Sequence, residues 1–255
     1  MTVLPHITVA PNGARLQKAD HAGLPVSVSE VIAAAVACHA AGADAIHMHV
    51  RSPDGAHSLD TGLYREAIAG VACAVPGMDI QVTTEAAGVY GVPAQLALLE
   101  ELRPGAASIA VREIARAPDL AGRVYATAAQ AGTRVQHILY GAPCFEQLAD
   151  WLRAGVVPRD MRDALLVLGQ YTPPRAGAPE ELPPFEERAG AMGLRMTLCT
   201  FGAQEQACLL AAARLGWNLR VGFENNRTAP DGSEWPDNAA SVASLVAALE
   251  KECLR

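Results

Sequence analysis

The chain is predicted to fold as a single-domain (β/α)8 barrel, a TIM barrel that spans residues 1–255. Strand-like and helix-like segments alternate along the chain, and eight such pairs account for almost all of it. No linker, low-complexity segment or change of composition marks a domain boundary. The alternative is a doubly wound open sheet, but the GxGxxG fingerprint that would follow its first strand is absent.

The predicted elements follow one another with short connections. Ser27 and Glu30 form a capping box that predicts the start of the first helix, which ends at Gly42. The segment 163–170 is apolar on both faces, as buried parallel strands are. Strands are predicted at 6–11, 45–51, 79–84, 106–113, 134–140, 163–170, 195–201 and 218–224. The later helices are predicted at 61–75, 93–103, 118–131, 143–155, 185–192, 204–215 and 238–253.

Composition excludes several classes of partner. The net charge is 20 − 27 = −7 without a run of Lys or Arg, so neither nucleic acid nor an anionic membrane surface is expected. No apolar run reaches the length of a membrane span, and the first residues lack the pattern of a signal peptide. The six cysteines are scattered without a CxxC pair, which predicts reduced thiols in a cytoplasmic protein.

An apolar strand carries two imidazoles at His47 and His49. Side chains alternate between the faces of a strand, so both rings point to one side, about 7 Å apart at the backbone. They can close on one metal ion, or they can be core histidines bonded to backbone carbonyls. Arg51 continues the same face toward the C-terminal end of the strand.

Active sites of such barrels lie at the C-terminal ends of the strands. Strands 1 and 8 are neighbours in a closed barrel, so Glu224 at the end of strand 8 can reach His47 and His49 on strand 2. Two imidazoles, one carboxylate and an open position suit catalytic zinc, and also iron(II) or manganese(II). The polar residues predicted at this end of the barrel are Asn12, His47, His49, Arg51, Thr83, Thr84, Glu85, Ser108, Arg112, Glu113, His137, Gln170, Thr197, Thr200, Arg220, Glu224 and Asn226.

Two segments, IHMHVR at 46–51 and RVGFENN at 220–226, resemble the paired signatures of the β-keto acid cleavage enzyme family, which includes the 3-keto-5-aminohexanoate cleavage enzyme. The stretches at 7–14, 24–27, 81–84, 166–169 and 200–204 extend the resemblance over nearly the whole chain. The resemblance implies a zinc-dependent barrel, usually a dimer or tetramer. Such an enzyme condenses a β-keto acid with acetyl-CoA or another acyl-CoA, and releases acetoacetate and a new acyl-CoA.

The resemblance also implies roles for individual residues. His47, His49 and Glu224 match the zinc ligands, and Arg220 matches the active-site arginine, with a structural salt bridge as its alternative role. Thr83 and Ser108 match hydroxyl positions of the site, and both are predicted to be catalytic together with Arg220 and His137. The residues predicted to bind substrate are Asn12, Arg51, Thr84, Glu85, Asn225 and Asn226.

Several acidic positions of the family pattern are replaced here. Arg15 and Asn225 stand where acids are usual, and Ser52 replaces an aspartate. Glu85-Ala86 replaces a glycine pair, and His137 lies on a strand that is usually acidic. His137 or Glu85 would then carry the proton transfer, His137 being favoured because imidazole titrates near neutrality. A histidine bonded to a backbone carbonyl is the alternative for His137.

Three functions remain open on the sequence. The first is the acyltransferase reaction on a β-keto acid and an acyl-CoA. The second is a metal-dependent C–C lyase or hydrolase on the same scaffold that needs no CoA. The third is a metal-binding paralogue without catalysis.

Overall fold

The computed structural model of the chain describes residues 4–255, and its centre is a closed parallel barrel of eight strands, as the sequence predicts. Around the barrel the strands follow the order β1, β2, β5, β6, β7, β8, β9 and β10, and β10 pairs with β1. The strands are β1 (Ile7–Val9), β2 (Ala45–Met48), β3 (Val50–Arg51), β4 (His57–Ser58), β5 (Asp79–Thr83), β6 (Ala106–Ala110), β7 (Arg134–Leu139), β8 (Asp163–Leu168), β9 (Arg195–Thr200) and β10 (Asn218–Val221).

Helices cover the outside of the barrel and bury the outward faces of the strands. None of the helices within residues 4–255 combines the length and the apolar character needed to cross a membrane. The helices are α1 (Val28–Ala40), α2 (Thr61–Ala74), α3 (Val92–Leu102), α4 (Val111–Ile114), α5 (Pro118–Ala131), α6 (Ala142–Ala154), α7 (Pro183–Met192), α8 (Glu205–Arg214) and α9 (Asn238–Lys251), with a 3₁₀ turn at Pro179–Glu181.

The capping box predicted for α1 is present. The Ser27 hydroxyl accepts a hydrogen bond from the backbone N–H of Glu30 at 3.3 Å. The Glu30 carboxylate accepts one from the N–H of Ser27 at 3.0 Å. These two bonds satisfy backbone donors that the first helical turn leaves free.

The strand predicted at 45–51 is divided in two. Only Ala45 and Ile46 pair with β1, because β1 ends at Val9. Beyond this point the Asn12 side chain replaces the neighbouring strand: its amide donates to the His49 carbonyl at 3.0 Å and its oxygen accepts from the His49 N–H at 3.4 Å. Val50 and Arg51 then turn away and pair antiparallel with β4.

Two further predicted strands are shorter than expected. The strand predicted at 106–113 ends at Ala110, and the single turn of α4 carries Arg112 and Glu113. The strand predicted at 218–224 ends at Val221, so Glu224 lies in a tight turn, where the N–H groups of Asn225 and Asn226 both donate to the Gly222 carbonyl. These turns are local backbone conformations that hydrophobic periodicity does not detect.

The barrel interior contains a chain of polar side chains and a patch of apolar ones. A polar chain crosses the interior: Gln81 donates to Gln136 at 3.2 Å, and Gln136 donates to the Thr197 hydroxyl at 3.0 Å. Thr197, predicted at the C-terminal mouth, therefore lies in the N-terminal half, where it lines a cavity together with His6 and Asn218. The apolar patch is a separate cluster on β6 to β9 that consists of Ala110, Ile138, Leu165, Val167 and Cys199.

Candidate metal centre and active site

His47, His49 and Glu224 converge at the C-terminal mouth of the barrel and form a cluster that could hold a metal ion. Each offers one ligand atom, and the three atoms lie within 4.8 Å of one another. The two imidazole Nε2 atoms are 3.2 Å apart, and the Glu224 oxygens lie 3.7 Å from His47 Nε2 and 3.5 Å from His49 Nε2. Both histidines are buried and Glu224 is nearly so, which suits an enclosed metal site.

The turn after β10 gives Glu224 its position. The Glu224 N–H donates to the Ala10 carbonyl at 3.1 Å, and the Tyr171 hydroxyl donates to the Glu224 carbonyl. Gly222 has φ +133°, and a Cβ at this residue would lie 2.6 Å from the Ala10 carbonyl oxygen. Only glycine allows this backbone conformation and this close approach, so Gly222 permits the turn that directs Glu224 inward.

Gln81 selects the tautomer of His47. Its side-chain oxygen lies 2.7 Å from His47 Nδ1, and an amide oxygen only accepts hydrogen bonds. His47 must therefore carry its proton on Nδ1, which leaves the Nε2 lone pair directed toward His49 and Glu224. Because Gln81 also donates to Gln136, the polar chain fixes the orientation of this amide.

Burial and a nearby charge favour the ligand forms of His47 and Glu224. Burial and the nearby Arg220 guanidinium hold the pKa of His47 well below its usual range, so this imidazole is neutral at neutral pH. Burial alone would raise the pKa of Glu224, but the Arg220 guanidinium outweighs that effect and holds its pKa well below the usual range. A neutral imidazole and an ionised carboxylate are the states that bind a metal ion.

Arg220 makes an ion pair with Glu224 inside the barrel and is only 3 % exposed. Its Nε and Nη1 groups are buried without a hydrogen-bond partner among the described residues. A buried unpaired donor is costly unless a bound molecule uses it. These two N–H groups can therefore serve a bound anion beside the metal cluster.

The cluster opens into a cavity of about 150 Å³ at the C-terminal mouth. One side carries His47, Arg220, Glu224 and Thr83, and the opposite side is the apolar patch. Glu85 also lines the cavity and pairs with Arg15 at 3.1 Å. A small molecule with a polar head and an apolar body would be held with its head on the metal side.

Six of the residues predicted to be catalytic, substrate-binding or metal-binding line this cavity. His49 belongs to the metal cluster but is not one of the lining residues. Thr83 faces the cavity and accepts a hydrogen bond from the Glu85 N–H at 3.0 Å. Asn225 also lines the cavity, and its side-chain oxygen has no hydrogen-bond partner within residues 4–255. The members that line the cavity are His47, Thr83, Glu85, Arg220, Glu224 and Asn225.

Two of the residues predicted to bind substrate, Arg51 and Asn12, form hydrogen bonds with the protein backbone instead. Arg51 is 4 % exposed and donates to the backbone carbonyls of Asn12, Gly13, Leu16 and Gly55. The Asn12 side chain binds the His49 backbone, as described above. Both residues therefore hold the first loop and His49 in place.

Other predicted residues point elsewhere. Thr84 donates to the Ser108 carbonyl, and the Ser108 hydroxyl is fully buried and is not among the residues that line the cavity. Asn226 donates to the Glu205 carboxylate behind the turn. His137 lies outside the barrel wall: strand alternation puts Ile138 inside, while His137 packs against the Tyr125 ring and lies 3.2 Å from the Met161 carbonyl. Burial lowers the pKa of His137 to about 4.

Several cavity residues escaped the sequence reasoning. Tyr140, Tyr171 and Phe201 line the cavity, and Arg112 lies over the Tyr140 ring, its guanidinium carbon 3.3 Å from the ring centroid. Arg112 was predicted among the polar residues at this end of the barrel, but no role was assigned to it. The aromatic residues lie just beyond β7, β8 and β9, where a barrel places its site, but an isolated aromatic residue gave no chemical signal.

The sequence model of the family described as beta-keto acid cleavage enzyme matches residues 6–252. A 3-oxoadipate:acetyl-CoA acetyltransferase of Cupriavidus necator is 32 % identical over 108 residues, which are 42 % of this chain and 37 % of that protein. A 3-keto-5-aminohexanoate cleavage enzyme of Fusobacterium nucleatum is 35 % identical over 98 residues, which are 38 % of this chain and 34 % of that protein. The matched segments thus span about a third of each relative.

Solved structures share the fold. ObcA in a binary complex with oxaloacetate superposes with a TM-score of 0.69 at 15 % identity, covering 91 % of this chain and 64 % of that chain. The 3-dehydroquinate dehydratase of Geobacillus kaustophilus superposes with a TM-score of 0.64 at 13 % identity, covering 97 % and 91 %. Because the family model matches almost the whole chain, this protein belongs to the β-keto acid cleavage enzyme family.

Proposed function

We propose that this protein is a zinc-dependent acyltransferase that cleaves a β-keto acid with acetyl-CoA. The products would be acetoacetate and a new acyl-CoA that carries the remainder of the keto acid. One observation carries the proposal: in a member of this family, a His₂–carboxylate cluster lies beside a buried arginine, two of whose donors have no hydrogen-bond partner in residues 4–255. The relative from Cupriavidus necator is named for an acetyl-CoA reaction, which supports acetyl-CoA as the second substrate.

Zinc fits the donor set. Two ligands of a tetrahedral zinc ion with bonds of about 2.05 Å lie about 3.3 Å apart. The Nε2 atoms of His47 and His49 are 3.2 Å apart. Iron(II) and manganese(II) accept the same donors, so the identity of the ion needs direct analysis. When bound by His47, His49 and Glu224, zinc would supply Lewis-acid stabilisation of negative charge on the substrate oxygen.

Arg220 would bind the carboxylate of the keto acid. Its buried Nε and Nη1 groups lie on different edges of the guanidinium, and each can donate one hydrogen bond to a substrate oxygen, while the ion pair of Nη2 with Glu224 holds the guanidinium in place. Because Arg220 is buried, these bonds form in a site with little competing water. The same donors would stabilise negative charge that develops on the substrate during C–C bond formation.

Glu85 is the residue that we assign to proton transfer. It lines the cavity, and one of its oxygens lies 3.9 Å from His49 Nδ1. Burial raises the pKa of the Cys199 thiol to about 12 and raises the pKa of both Tyr140 and Tyr171, so these groups stay protonated at neutral pH. His137 lies outside the cavity, which leaves Glu85 as the better placed base.

The test combines metal analysis with turnover. Protein purified without added metal should contain about one zinc per chain, and His49→Ala and Glu224→Gln should lose it. A panel of β-keto acids with acetyl-CoA is then assayed for acetoacetate. We expect turnover that is at least about 10³-fold slower in both variants. Glu187→Gln, which removes an exposed carboxylate on α7, is the control and should behave as the wild type.

Other outcomes would point to the other functions. Metal-dependent cleavage that proceeds without CoA would replace the proposal with a lyase or hydrolase. Stoichiometric metal without turnover of any keto acid would identify a non-catalytic paralogue. We also expect a cytoplasmic homo-oligomer; the six cysteines are all free, which agrees with a reducing compartment, and light scattering would determine the oligomeric state.

A further inference from the structure

Four arginines line the cavity, and one of them has no ionic partner in the described part of the chain. Arg15 pairs with Glu85, Arg175 pairs with Glu181 at 2.7 Å, and Arg220 pairs with Glu224. Arg112 makes no hydrogen bond or ion pair with any residue between 4 and 255. A cation that faces a cavity without a counter-ion is a candidate site for an anionic group of the ligand.

The Arg112 guanidinium is held in place by an aromatic ring. Its central carbon lies 3.3 Å from the centroid of the Tyr140 ring, the distance of a flat stacking contact. Stacking uses the face of the guanidinium and leaves the N–H groups at its edge free to donate. Tyr140 therefore presents Arg112 to the cavity as a fork suited to a carboxylate.

Arg112 lies away from the metal cluster along the cavity wall. It follows β6, which is two strands from β2 in the barrel order, so the two groups are separated by roughly 10 Å along the wall. The apolar patch, with Ile138, Leu165 and Val167 at the cavity surface, lies next to Arg112 on the neighbouring strands. On this side of the cavity, the methylene groups of a ligand can pack on the apolar patch, and an anionic group at the end of its chain can reach Arg112.

The charges at the cavity leave one positive charge unbalanced, that of Arg112. The four lining arginines carry +4, and the carboxylates of Glu85, Glu181 and Glu224 that pair with three of them carry −3, so the formal charge is 4 − 3 = +1 before any metal ion is added. A second carboxylate on the substrate would balance the charge of Arg112.

We propose that the substrate is a β-keto acid whose acyl tail ends in a second carboxylate, and that Arg112 binds this terminal group. This inference rests on the proposed function and names its substrate class. The keto acid end would lie at the metal side, the methylene groups would cover the apolar patch, and the tail carboxylate would pair with Arg112. The phosphates of CoA are the other source of an anion at this position, and the experiment separates the two.

The test compares two keto acids with the same six-carbon chain. 3-Oxoadipate carries the terminal carboxylate and 3-oxohexanoate lacks it. We expect the wild type to prefer 3-oxoadipate, and the ratio of the two kcat/KM values to fall at least about 10-fold in Arg112→Met. Arg112→Lys should restore part of the preference. The matched control is Arg116→Met, which removes an exposed arginine one turn later, outside the cavity, and should keep the wild-type ratio.

Three results would overturn the inference. A wild type that turns over 3-oxohexanoate but not 3-oxoadipate would refute it while leaving the proposed function intact. An equal loss on both acids in Arg112→Met would indicate a structural role. A rise in KM for acetyl-CoA alone would assign Arg112 to CoA.

Calorimetry separates failure of this inference from failure of the proposed function. Both keto acids are titrated into the zinc-loaded protein without CoA. Tighter binding of 3-oxoadipate that is lost in Arg112→Met supports the inference even if no acetoacetate forms in the turnover assay. Equal affinity for the two acids would contradict it.

Discussion

At the scale of single residues, the contact between Gly13 and Glu224 links the first loop to the metal cluster. Gly13 has φ +60°, and a Cβ at this position would lie 2.6 Å from Glu224 Cγ. The glycine therefore leaves the space that the Glu224 side chain occupies. A side chain at residue 13 would displace a ligand without altering any ligand chemically.

Gly13→Ala should weaken zinc binding at least about 10-fold, because the added methyl group pushes Glu224 from its position. Competition with a chelator measures the zinc affinity. Gly132→Ala is the control: Gly132 also has positive φ, +71°, but its Cβ would meet nothing within 4 Å. Both variants introduce backbone strain, so an equal change in zinc affinity would contradict the prediction.

At the scale of elements, the polar chain of Gln81, Gln136 and Thr197 connects β5, β7 and β9 through the barrel. These are alternate strands, which in such a barrel contribute side chains to one layer. The chain begins at His47 Nδ1 and so reaches from a metal ligand to the opposite wall. Thr197 fixes the orientation of Gln136, and Gln136 fixes the orientation of the Gln81 amide that contacts His47.

The polar chain predicts a graded series of zinc affinities. Gln81→Leu should weaken zinc binding most, by roughly 10- to 100-fold, because His47 then loses the acceptor that fixes its tautomer. Gln136→Leu should have a smaller effect, because Gln81 stays but is free to rotate, and Thr197→Val should have the smallest effect. Chelator competition gives the three affinities, and equal values for all variants would show that the chain does not act on the metal ligand.

At the scale of the whole molecule, the stability of the barrel depends on the protonation of Glu205. This residue lies at the start of α8, is 4 % exposed, and accepts a hydrogen bond from Asn226 in the turn after β10. Burial raises the pKa of Glu205 to about 8 from an ordinary value of 4.5, against the lowering effect of the Asn226 bond. The folded protein thus holds a proton that the unfolded chain releases above pH 4.5.

Because the pKa of Glu205 is higher in the folded protein than in the unfolded chain, the free energy of unfolding depends on pH. The contribution of Glu205 is fully present below pH 4.5 and is lost as the pH rises toward about 8, because only the unfolded chain gains the free energy of ionisation in that range. Glu205→Gln keeps an acceptor for Asn226 and removes the titration. We expect the variant to exceed the wild type in free energy of unfolding by a larger margin at pH 8 than at pH 5. Urea denaturation at the two pH values measures this, and equal margins would contradict it.

The barrel and half of the site could be predicted from periodicity and from barrel geometry. The alternation of strands and helices is local in sequence, and closure of the barrel brings Glu224 to His47 and His49 whatever the details of the loops. His137 could not be placed, because a shift of one position in strand register exchanges the inner and outer faces. The role of Arg51 also escaped prediction, because its partners are backbone carbonyls of a loop that no pattern describes.

The division of the cavity into a metal side and an apolar patch has a consequence for how such enzymes diverge. The metal ligands belong to β2 and to the turn after β10, whereas Ile138, Leu165 and Arg112 belong to β6, β7 and β8 or the residues that follow them. Mutations on the second set of strands can therefore change the accepted acyl group while the reactive centre is inherited unchanged. In directed evolution, libraries confined to positions 112, 138, 140 and 165 should yield altered substrate preference with the zinc content preserved.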